Sequence, residues 1–371
     1  MSNKQIILFI GTTAELIKLA PVIKELKKRK LDFKIVASMQ NVLYLSELKP
    51  LIGEQSIYYK SILKPFKSPF NNEYLSFVFW AIKNLGNFIL YFHNEFKGME
   101  KKKIFFIVHG DTVSSLIGAI AAKINRTKLV HIESGLRSYN FFEPFPEELC
   151  RVIVSRLADI HFCPNPWSVN NLKNIGGIKI NTGNNTLIEA FFNTLKIKTS
   201  SEIQKNITKR KFFILVLHRQ EHILFKKDLT KKLLKIFTKY ANRNLACVLV
   251  LHKLTEDFMK KEHLLDKIRS NKNLILVPRL PYLEFIHLMK KAEFLATDGG
   301  SNQEEAYYMG KPCLILRNVT ERIEGLGENA LLSHNDENII RDFVKNYNKY
   351  QRKPAFFTTP PSKIIVDYLR N

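Results

Sequence analysis

Short apolar segments alternate with helical patterns along the whole chain. The segments with strand character lie at 6–10, 35–37, 104–108, 129–132, 160–163, 212–217, 247–251, 274–277, 294–296 and 313–316. Most are rich in β-branched or aromatic residues and apolar at nearly every position, which is typical of strands buried on both faces of a parallel sheet. Between them, apolar residues recur at helical spacing, as Leu16, Leu19 and Ile23 do after the first strand. This alternation predicts βαβ units and therefore an α/β fold with doubly wound sheets.

The strand segments form two series, separated by a polar and charged stretch at 196–211. A chain of 371 residues, 45% of them hydrophobic, is long enough to bury more than one core. We therefore predict two doubly wound, Rossmann-like domains that face a cleft, one over 1–195 and one over 196–355. Residues 356–371 have the pattern of a final amphipathic helix, which could pack back on the N-terminal domain. Ligands of such folds bind at the carboxyl ends of the strands.

The charge balance is strongly basic. The chain has 58 Lys and Arg against 34 Asp and Glu, a formal net charge of +24. A positive field of this size attracts anions, which include nucleic acid, an anionic membrane surface and a small phosphorylated substrate. The basic residues are scattered, without zinc-finger spacing or an RNA-recognition signature. We favour a lysine-rich solvated surface and predict no nucleic-acid partner.

The cysteines and the N-terminus bear on the compartment. The four cysteines are Cys150, Cys163, Cys247 and Cys313. None forms a C-x-x-C pair, and the apolar segments around them favour buried, reduced thiols. The first apolar run ends at Gly11, too early for a signal peptide, and no stretch approaches the ~20 apolar residues of a transmembrane helix. We expect a cytoplasmic protein, with neither a metal nor another cofactor.

An aromatic segment at 66–96 stands apart from the rest of the chain. Its aromatic residues are Phe66, Phe70, Tyr74, Phe77, Phe79, Trp80, Phe88, Tyr91, Phe92 and Phe96. The interpretation we favour is a helix pair that fills the core of the first domain, because large aromatic side chains are usually well buried. The other interpretation is a membrane-facing or acceptor-binding patch, which leaves peripheral membrane association open.

The strongest local signal is the segment DGGSNQEE at 298–305, directly after a strand. Its glycines allow a sharp turn and the close approach of a ligand to the backbone. Ser301 followed by Glu304 has the spacing of a capping box, which predicts a helix start. Free N–H groups at a helix start suit a diphosphate, and Glu305 suits ribose hydroxyls. An ordinary βα turn would have the same pattern, so the motif alone is moderately specific.

Polar residues follow several other strands and begin one helix. These segments are GTTAE at 11–15, HGDT at 109–112, ESGLR at 133–137, PEELCR at 146–151 and HRQE at 218–221. Singly, each fits a surface ion pair or a helix cap. Charged groups at the carboxyl ends of parallel strands converge on one edge of the sheet. Carboxylates held close together there could serve as acid and base.

These segments, taken together, resemble the bacterial non-hydrolysing UDP-N-acetylglucosamine 2-epimerase family. The resemblance runs from about Ile7 to Leu332 and rests on GTTAELIKLAPVI, HGDT, HIESGLRS, PFPEELCR, RLADIHFCP, TGNNT, HRQE, DGGSNQEEA, GKPCLILR and TER. It implies a glycosyltransferase-B-like fold and a homodimer. It also implies an isomerase that converts UDP-N-acetylglucosamine to UDP-N-acetylmannosamine by eliminating UDP and adding it back, for cell-envelope polysaccharide synthesis.

The resemblance also implies roles for particular residues. The catalytic carboxylates fall on Asp111, Glu133 and Glu147, and the catalytic histidine falls on His218. The substrate-binding positions fall on Lys18, Arg137, Arg151, His252, Gly299, Gly300, Ser301, Glu305 and Arg322.

Some positions depart from the pattern of the family. Thr13 and Ala14 stand where the family has Arg and Pro, Asn41 replaces a histidine, and Cys150 replaces an asparagine. Loss of the arginine removes a bidentate phosphate contact. These changes raise an alternative function, a glycosyltransferase on the same scaffold that moves a sugar from a nucleotide-sugar to a cell-envelope glycan acceptor.

Overall fold

The computed structural model describes residues 4–53, 59–61, 73–199, 207 and 209–371. Contacts divide these residues into two compact units. The first comprises Met1–Arg137, Pro146–Ala190 and Phe357–Asn371, and the second comprises Ser138–Phe145 and Phe191–Phe356. Each unit contains one parallel sheet flanked by helices, so the prediction of an α/β fold with two doubly wound domains is confirmed.

The first unit is built on a seven-stranded sheet in the order β3-β2-β1-β4-β5-β6-β7, in which each neighbouring pair is parallel. Its strands are β1 (Gln5–Ile10), β2 (Phe33–Ala37), β3 (Tyr59–Ser61), β4 (Ile104–His109), β5 (Lys128–Ile132), β6 (Ile160–Cys163) and β7 (Ile178–Asn181). The strand order reverses between β1 and β4. In a doubly wound sheet, this reversal is the point at which the loops at the carboxyl ends part and leave room for a ligand.

The helices that belong to this unit follow the same chain order. They are α1 (Thr13–Lys28), α2 (Leu45–Ile52), α3 (Glu73–Glu95), α4 (Val113–Ile124), α5 (Glu147–Leu157), α6 (Pro166–Asn171) and α7 (Leu187–Lys196), together with a short 3₁₀ helix at Lys101–Lys103. Helix α7 ends within the second unit, because the division between the units falls after Ala190.

The aromatic residues of α3 fill much of the first core. Phe88 and Phe92 are fully buried, and the ring of Phe88 meets that of Phe9 in β1 edge-to-face at 4.8 Å. Trp80 and Phe96 are buried as well, so the core interpretation is confirmed for these residues. The described part of the segment is a single helix rather than a helix pair, and positions 66 and 70 and the side chains of 74 and 77 lie outside the description.

Helix α3 also has an apolar face toward solvent. Phe79, Ile82 and Leu90 are 52%, 67% and 65% exposed, so the aromatic segment is not wholly a core element. Among the residues that the structure describes, no helix, α3 included, is long and apolar enough to cross a bilayer.

The second unit has a six-stranded parallel sheet in the order β10-β9-β8-β11-β12-β13. Its strands are β8 (Phe212–Val216), β9 (Ala246–Leu251), β10 (Leu274–Pro278), β11 (Leu295–Thr297), β12 (Cys313–Ile315) and β13 (Ala330–Leu332). Its further helices are α8 (Lys227–Tyr240), α9 (Lys253–Lys261), α10 (Leu265–Arg269), α11 (Tyr282–Lys291), α12 (Gly300–Met309) and α13 (Glu337–Asn346), with a π-helical turn at Glu221–Phe225 and a 3₁₀ helix at Tyr347–Tyr350. The order of this sheet reverses between β8 and β11.

The two units do not follow the sequence boundaries that we placed at 195/196 and 355/356. The segment Ser138–Phe145 groups with the second unit, although the sequence placed it in the first domain. The physical reason lies in the buried carboxylate of Glu143. It accepts hydrogen bonds from the backbone and side chain of Asn318, at 2.9 and 3.2 Å, and from Lys226 Nζ at 3.0 Å.

The C-terminal helix α14 (Pro361–Arg370) belongs to the first unit, where it packs against α1. Its start is held by Glu189, whose carboxylate accepts hydrogen bonds from the backbone N–H and the hydroxyl of Ser362, both at 2.7 Å. Asp367 pairs with Arg29 at the end of α1. The chain therefore returns to its first sheet after completing the second.

Candidate functional site

In the first unit, predicted site residues follow the adjacent strands β4 and β5, close to the switch point of the sheet. Asp111 comes two residues after β4, and Glu133 comes directly after β5. Glu133 has a φ of 64°, in the left-handed region that a glutamate seldom adopts. Such a conformation costs of order 1–3 kcal/mol, persists only where the surroundings hold it, and is found most often at functional sites.

The carboxylate of Glu133 is almost completely buried between two polar side chains. Lys18 Nζ from α1 lies 3.0 Å from Oε1 and 2.7 Å from Oε2, and the side chains of the pair are 9% and 2% exposed. The side-chain amide of Asn185 donates to Oε2. Asn185 was not among the predicted site residues, although it lies in the TGNNT segment. The sequence did not indicate its role, because the contact forms only where the loop before α7 returns to the end of β5.

Asp111, in the loop after β4, is the first member of a chain of ion pairs that continues through residues of α5. Arg151 contacts Asp111 through Nη2 and Glu148 Oε2 through Nη1, the latter at 2.6 Å. Arg137 Nε lies 2.6 Å from the other oxygen of Glu148. Glu148 is fully buried and joins two predicted binding residues, although it was not itself predicted as a site residue. The spacing of Glu148 and Arg151, which is i,i+3 on one helix, was the available signal. Glu147 lies at the first position of the same helix and is partly exposed.

Glu15 ties the loop after β1 to the start of α4. Its carboxylate accepts hydrogen bonds from the N–H groups of Gly11 and Thr12, at 2.6 and 2.7 Å, and from the hydroxyls of Thr112 and Ser115, at 2.6 and 3.0 Å. Burial raises the pKa of Glu15, against the opposite effect of these hydrogen bonds. The GTTAE motif, which was weak on its own, therefore has a structural role: its Glu15 stabilises the loop that contains Asp111.

His131, on β5, braces the same loop from within the sheet. Its Nε2 lies 2.8 Å from the carbonyl oxygen of Gly110, so Nε2 carries the hydrogen and donates it. The ring is fully buried, and burial lowers the pKa of His131 to about 3. The imidazole is therefore neutral at physiological pH and orients the residue that precedes Asp111.

The lowered pKa of His131 predicts a specific acid sensitivity. Below about pH 6.5 the unfolded chain binds a proton at this residue, whereas the folded protein does not until the pH approaches 3. Stability is therefore lost as the pH falls, by about 1.4 kcal/mol for each pH unit from this group. In urea unfolding at pH 7, 6 and 5, His131→Gln should show a shallower pH slope, with the difference approaching that amount between pH 6 and 5. Equal slopes for the two proteins would contradict this assignment.

In the second unit, the segment 298–305 forms the β11–α12 turn and the start of the helix. Helix α12 begins at Gly300 with Gly299 as its N-cap, and no side chain caps it. The predicted capping box of Ser301 and Glu304 was therefore wrong. Glu304 instead accepts a hydrogen bond from Tyr308 Oη at 3.0 Å and pairs with Arg322. An uncapped helix N-terminus leaves backbone N–H groups available to an anion.

The predicted binding residues Glu305 and Arg322 are both buried. Asn302 Nδ2 donates to Glu305 Oε2 at 3.0 Å, which holds that carboxylate against the first turn of α12. Arg322 belongs to a buried network with Glu304 and Glu321, and Glu321 in turn pairs with Arg317 at 2.8 Å. The N-terminal end of α12 is thus supported by paired buried charges. Such pairs are costly to break, because one partner would remain buried without its counter-ion.

His218 follows β8 and lies against the same turn. Its Nδ1 is 2.9 Å from Asp298 Oδ1, at an angle outside that of a regular hydrogen bond. Its ring stacks on that of His252 with 4.8 Å between centroids. A side chain at Gly299 would come within 2.8 Å of His218 Cε1, so the ring needs glycine at that position. Asp298 is fully buried, and sequence reasoning missed it even though it opens the DGG motif.

The structure thus places the predicted residues in two groups, one in each unit. The first group consists of Lys18, Asp111, Glu133, Arg137, Glu147 and Arg151, and the second of His218, His252, Gly299, Gly300, Ser301, Glu305 and Arg322. In both groups the residues lie in the loops that follow the carboxyl ends of strands, or in the first two turns of the helices that come next.

Comparison with known proteins identifies the fold and the family. Residues 83–369 match the model of the UDP-N-acetylglucosamine 2-epimerase family. A UDP-N-acetylglucosamine 2-epimerase of Campylobacter jejuni is 34% identical over 363 residues, which cover 92% of this chain and 89% of that protein. The chain belongs to this family.

Solved structures of 2-epimerases from other organisms agree with this. The enzyme of Methanocaldococcus jannaschii, in complex with UDP-GlcNAc and UDP, matches with a TM-score of 0.81 at 27% identity over 99% of both chains. The enzyme of Neisseria meningitidis, bound to UDP-GlcNAc, matches with a TM-score of 0.78 at 30% identity over 99% of both chains. The glycosyltransferase-B-like architecture of this 2-epimerase family member is thereby confirmed, as is its place among the isomerases.

Proposed function

We propose that this protein epimerises UDP-N-acetylglucosamine at C2 to UDP-N-acetylmannosamine, by eliminating UDP and adding it back, and that it serves cell-envelope polysaccharide synthesis. The observation that carries the proposal is the buried Glu133, held at positive φ between Lys18 and Asn185. Strained backbone conformations of this kind cluster at active sites, where the surrounding contacts hold them in place. Family membership and the relatives bound to UDP-GlcNAc support the substrate class.

The chemistry requires a base, an acid and a site for a departing anion. The C2 proton of the sugar is weakly acidic, so a positioned carboxylate must remove it as the C1–O bond breaks. In our proposal Asp111, Glu133 and Glu147 supply the base and return the proton on the other face of C2. Lys18 compensates the buried charge of Glu133, and Arg151 pairs with the partly exposed carboxylate of Asp111.

The departing UDP takes the bonding electron pair and leaves as an anion. We propose that the free N–H groups around Gly300 and Ser301 hold its diphosphate, and that Glu305 binds a ribose hydroxyl. Backbone donors fixed in place before the reaction stabilise developing charge more effectively than water, which must reorient. His218 and His252 lie beside this turn, and we assign them to the phosphates as well.

The direct test is incubation with UDP-N-acetylglucosamine in deuterated water, with the C2 position followed by proton NMR. We expect loss of the C2 proton signal and the appearance of UDP-N-acetylmannosamine. If the C2 proton persists and no second sugar nucleotide forms while UDP still binds, the protein is not a 2-epimerase.

Two observations favour the alternative function, a glycosyltransferase. Thr13 stands where the family has arginine, and its hydroxyl lies 3.3 Å from both Val42 O and Tyr44 N, so it stabilises a loop. The exposed Phe79, Ile82 and Leu90 on α3 could meet a lipid-linked acceptor. A glycosyltransferase would release UDP from UDP-sugars only when membrane extract is added. Acceptor-dependent release without C2 exchange would favour this function over epimerisation.

A further inference from the structure

Asp298 is a buried carboxylate at the start of the turn that we assign to the diphosphate. It is fully inaccessible to solvent. Its Oδ2 accepts hydrogen bonds from the N–H groups of His218 and Arg219, at 2.9 and 3.0 Å. A negative charge at this point opposes the binding of an anion, so its presence beside a phosphate site requires a physical reason.

Two imidazole rings face this carboxylate. His218 Nδ1 lies 2.9 Å from Oδ1, and His222 Nδ1 lies 3.4 Å from Oδ2. Burial alone would raise the pKa of Asp298, but the neighbouring His218 and His222 hold it well below its usual value. The carboxylate is therefore ionised. Its negative charge favours the tautomers in which the facing Nδ1 atoms of the two rings carry a hydrogen.

The two histidines differ in their access to a ligand. The side chain of His222 is fully buried, whereas that of His218 is 32% exposed. With Nδ1 of His218 turned to Asp298, its Nε2 is the ring nitrogen left for a ligand. Two neighbours fix the plane of the His218 ring. The ring of His252 stacks on it with an interplanar angle of 26°, and Gly299 packs against its Cε1.

The charge of His252 does not compete for this role. Burial, followed by the nearby His218 ring, lowers the pKa of His252 to about 3, so His252 is neutral at physiological pH. Two cationic groups lie near the pair. Arg219 donates to the Asp298 carbonyl oxygen at 3.3 Å, and Arg279 faces His252. Asp298 is the anion that contacts the His218 ring at Nδ1.

We propose that Asp298 is a positioning residue that keeps the hydrogen of His218 on Nδ1 and directs Nε2 toward the diphosphate. When the phosphate arrives, Nε2 takes a proton from solvent, and the resulting imidazolium pairs with Asp298 through Nδ1 and donates Nε2–H to a phosphate oxygen. The buried carboxylate therefore turns His218 into a cationic donor for the leaving group. The phosphate part of this inference rests on the proposed function, whereas the tautomer of the free ring does not.

The sign of one affinity change separates this role from the alternatives. If Asp298 acted only as a local negative charge, Asp298→Asn would tighten UDP binding by removing repulsion. If it orients and charges His218, the same variant should weaken UDP binding about tenfold or more, because a charge-assisted hydrogen bond is lost. The amide oxygen of asparagine can still accept from the N–H groups of His218 and Arg219, so the turn retains its structural support.

The experiment combines calorimetry with NMR of ¹⁵N-histidine-labelled protein. Free wild type should show His218 protonated at Nδ1 only, UDP should add a proton at Nε2, and Asp298→Asn should lose the Nδ1 preference. Asp257→Asn, at an exposed pair with Lys253, is the matched control and should leave UDP affinity unchanged.

Two results would overturn the role of Asp298. One is an Nε2-protonated neutral ring in free wild-type protein, which needs no variant to be observed. The other is tighter UDP binding by Asp298→Asn. Absence of C2 exchange with the expected His218 spectrum would instead reject the epimerase proposal and leave the positioning role of Asp298 standing.

Discussion

Glu133→Gln should lower C2 proton exchange by about 100-fold to 10,000-fold, the range that a general acid or base contributes. The amide has nearly the same shape as the carboxylate and can still accept a hydrogen bond from Lys18, but it cannot take up the C2 proton. UDP affinity should remain within about threefold of wild type, because every proposed UDP contact belongs to the second unit. NMR in deuterated water measures the exchange, and titration calorimetry measures the binding.

A matched control is available in the same unit. Glu95 pairs with Lys34 at 2.6 Å, and both side chains are partly exposed. Glu95→Gln is the same chemical change at a surface pair and should leave both exchange and binding unaltered. Exchange by Glu133→Gln at a tenth of the wild-type rate or more would remove Glu133 from the catalytic set. Thermal unfolding of both variants checks that the folds are intact.

Gly300→Val should reduce UDP affinity by about 10-fold to 100-fold. A Cβ at this position would lie 2.5 Å from Glu321 Oε1 and 3.0 Å from Arg322 Nε. Both atoms belong to the buried charge network under the first turn of α12, so neither can move without disturbing a paired charge. Overpacking of this kind costs about 1–3 kcal/mol, which corresponds to the stated loss if the turn shifts away from its phosphate-binding geometry.

The physical reason differs from the one that the sequence suggested. From the motif alone, a side chain at Gly300 would simply occupy the approach of the phosphate. In the structure a Cβ at this position points at Glu321 and Arg322. The valine would therefore weaken UDP binding indirectly, by displacing the turn. Gly86→Val is the control, since nothing lies within 4 Å of its Cβ position on the exposed side of α3. Unchanged UDP binding by Gly300→Val would show that this turn does not hold the diphosphate.

Much of the candidate site was predictable because it lies in the turns that follow strands. The apolar runs locate the strands, and the carboxyl ends of parallel strands meet at one edge, so HGDT and ESGLR were expected to be neighbours. Asn185 and Glu148 were not predicted, because their partners depend on how a loop returns and which side of α5 faces inward. Asp298 opens the DGG motif, but the motif alone predicts a role only for its glycines.

The α/β class, the two series of strands, the family and most of the candidate site residues follow from the amino-acid sequence by itself, since strand burial and turn chemistry are local properties. Only the tertiary structure decided which charges are paired. The pairing of Glu133 with Lys18 across 115 positions, and of Arg322 with Glu304 rather than a capping box, required side chains to be placed in space. A buried charge is tolerated only beside its counter-ion, and contacts between distant residues carry no local signal in the chain.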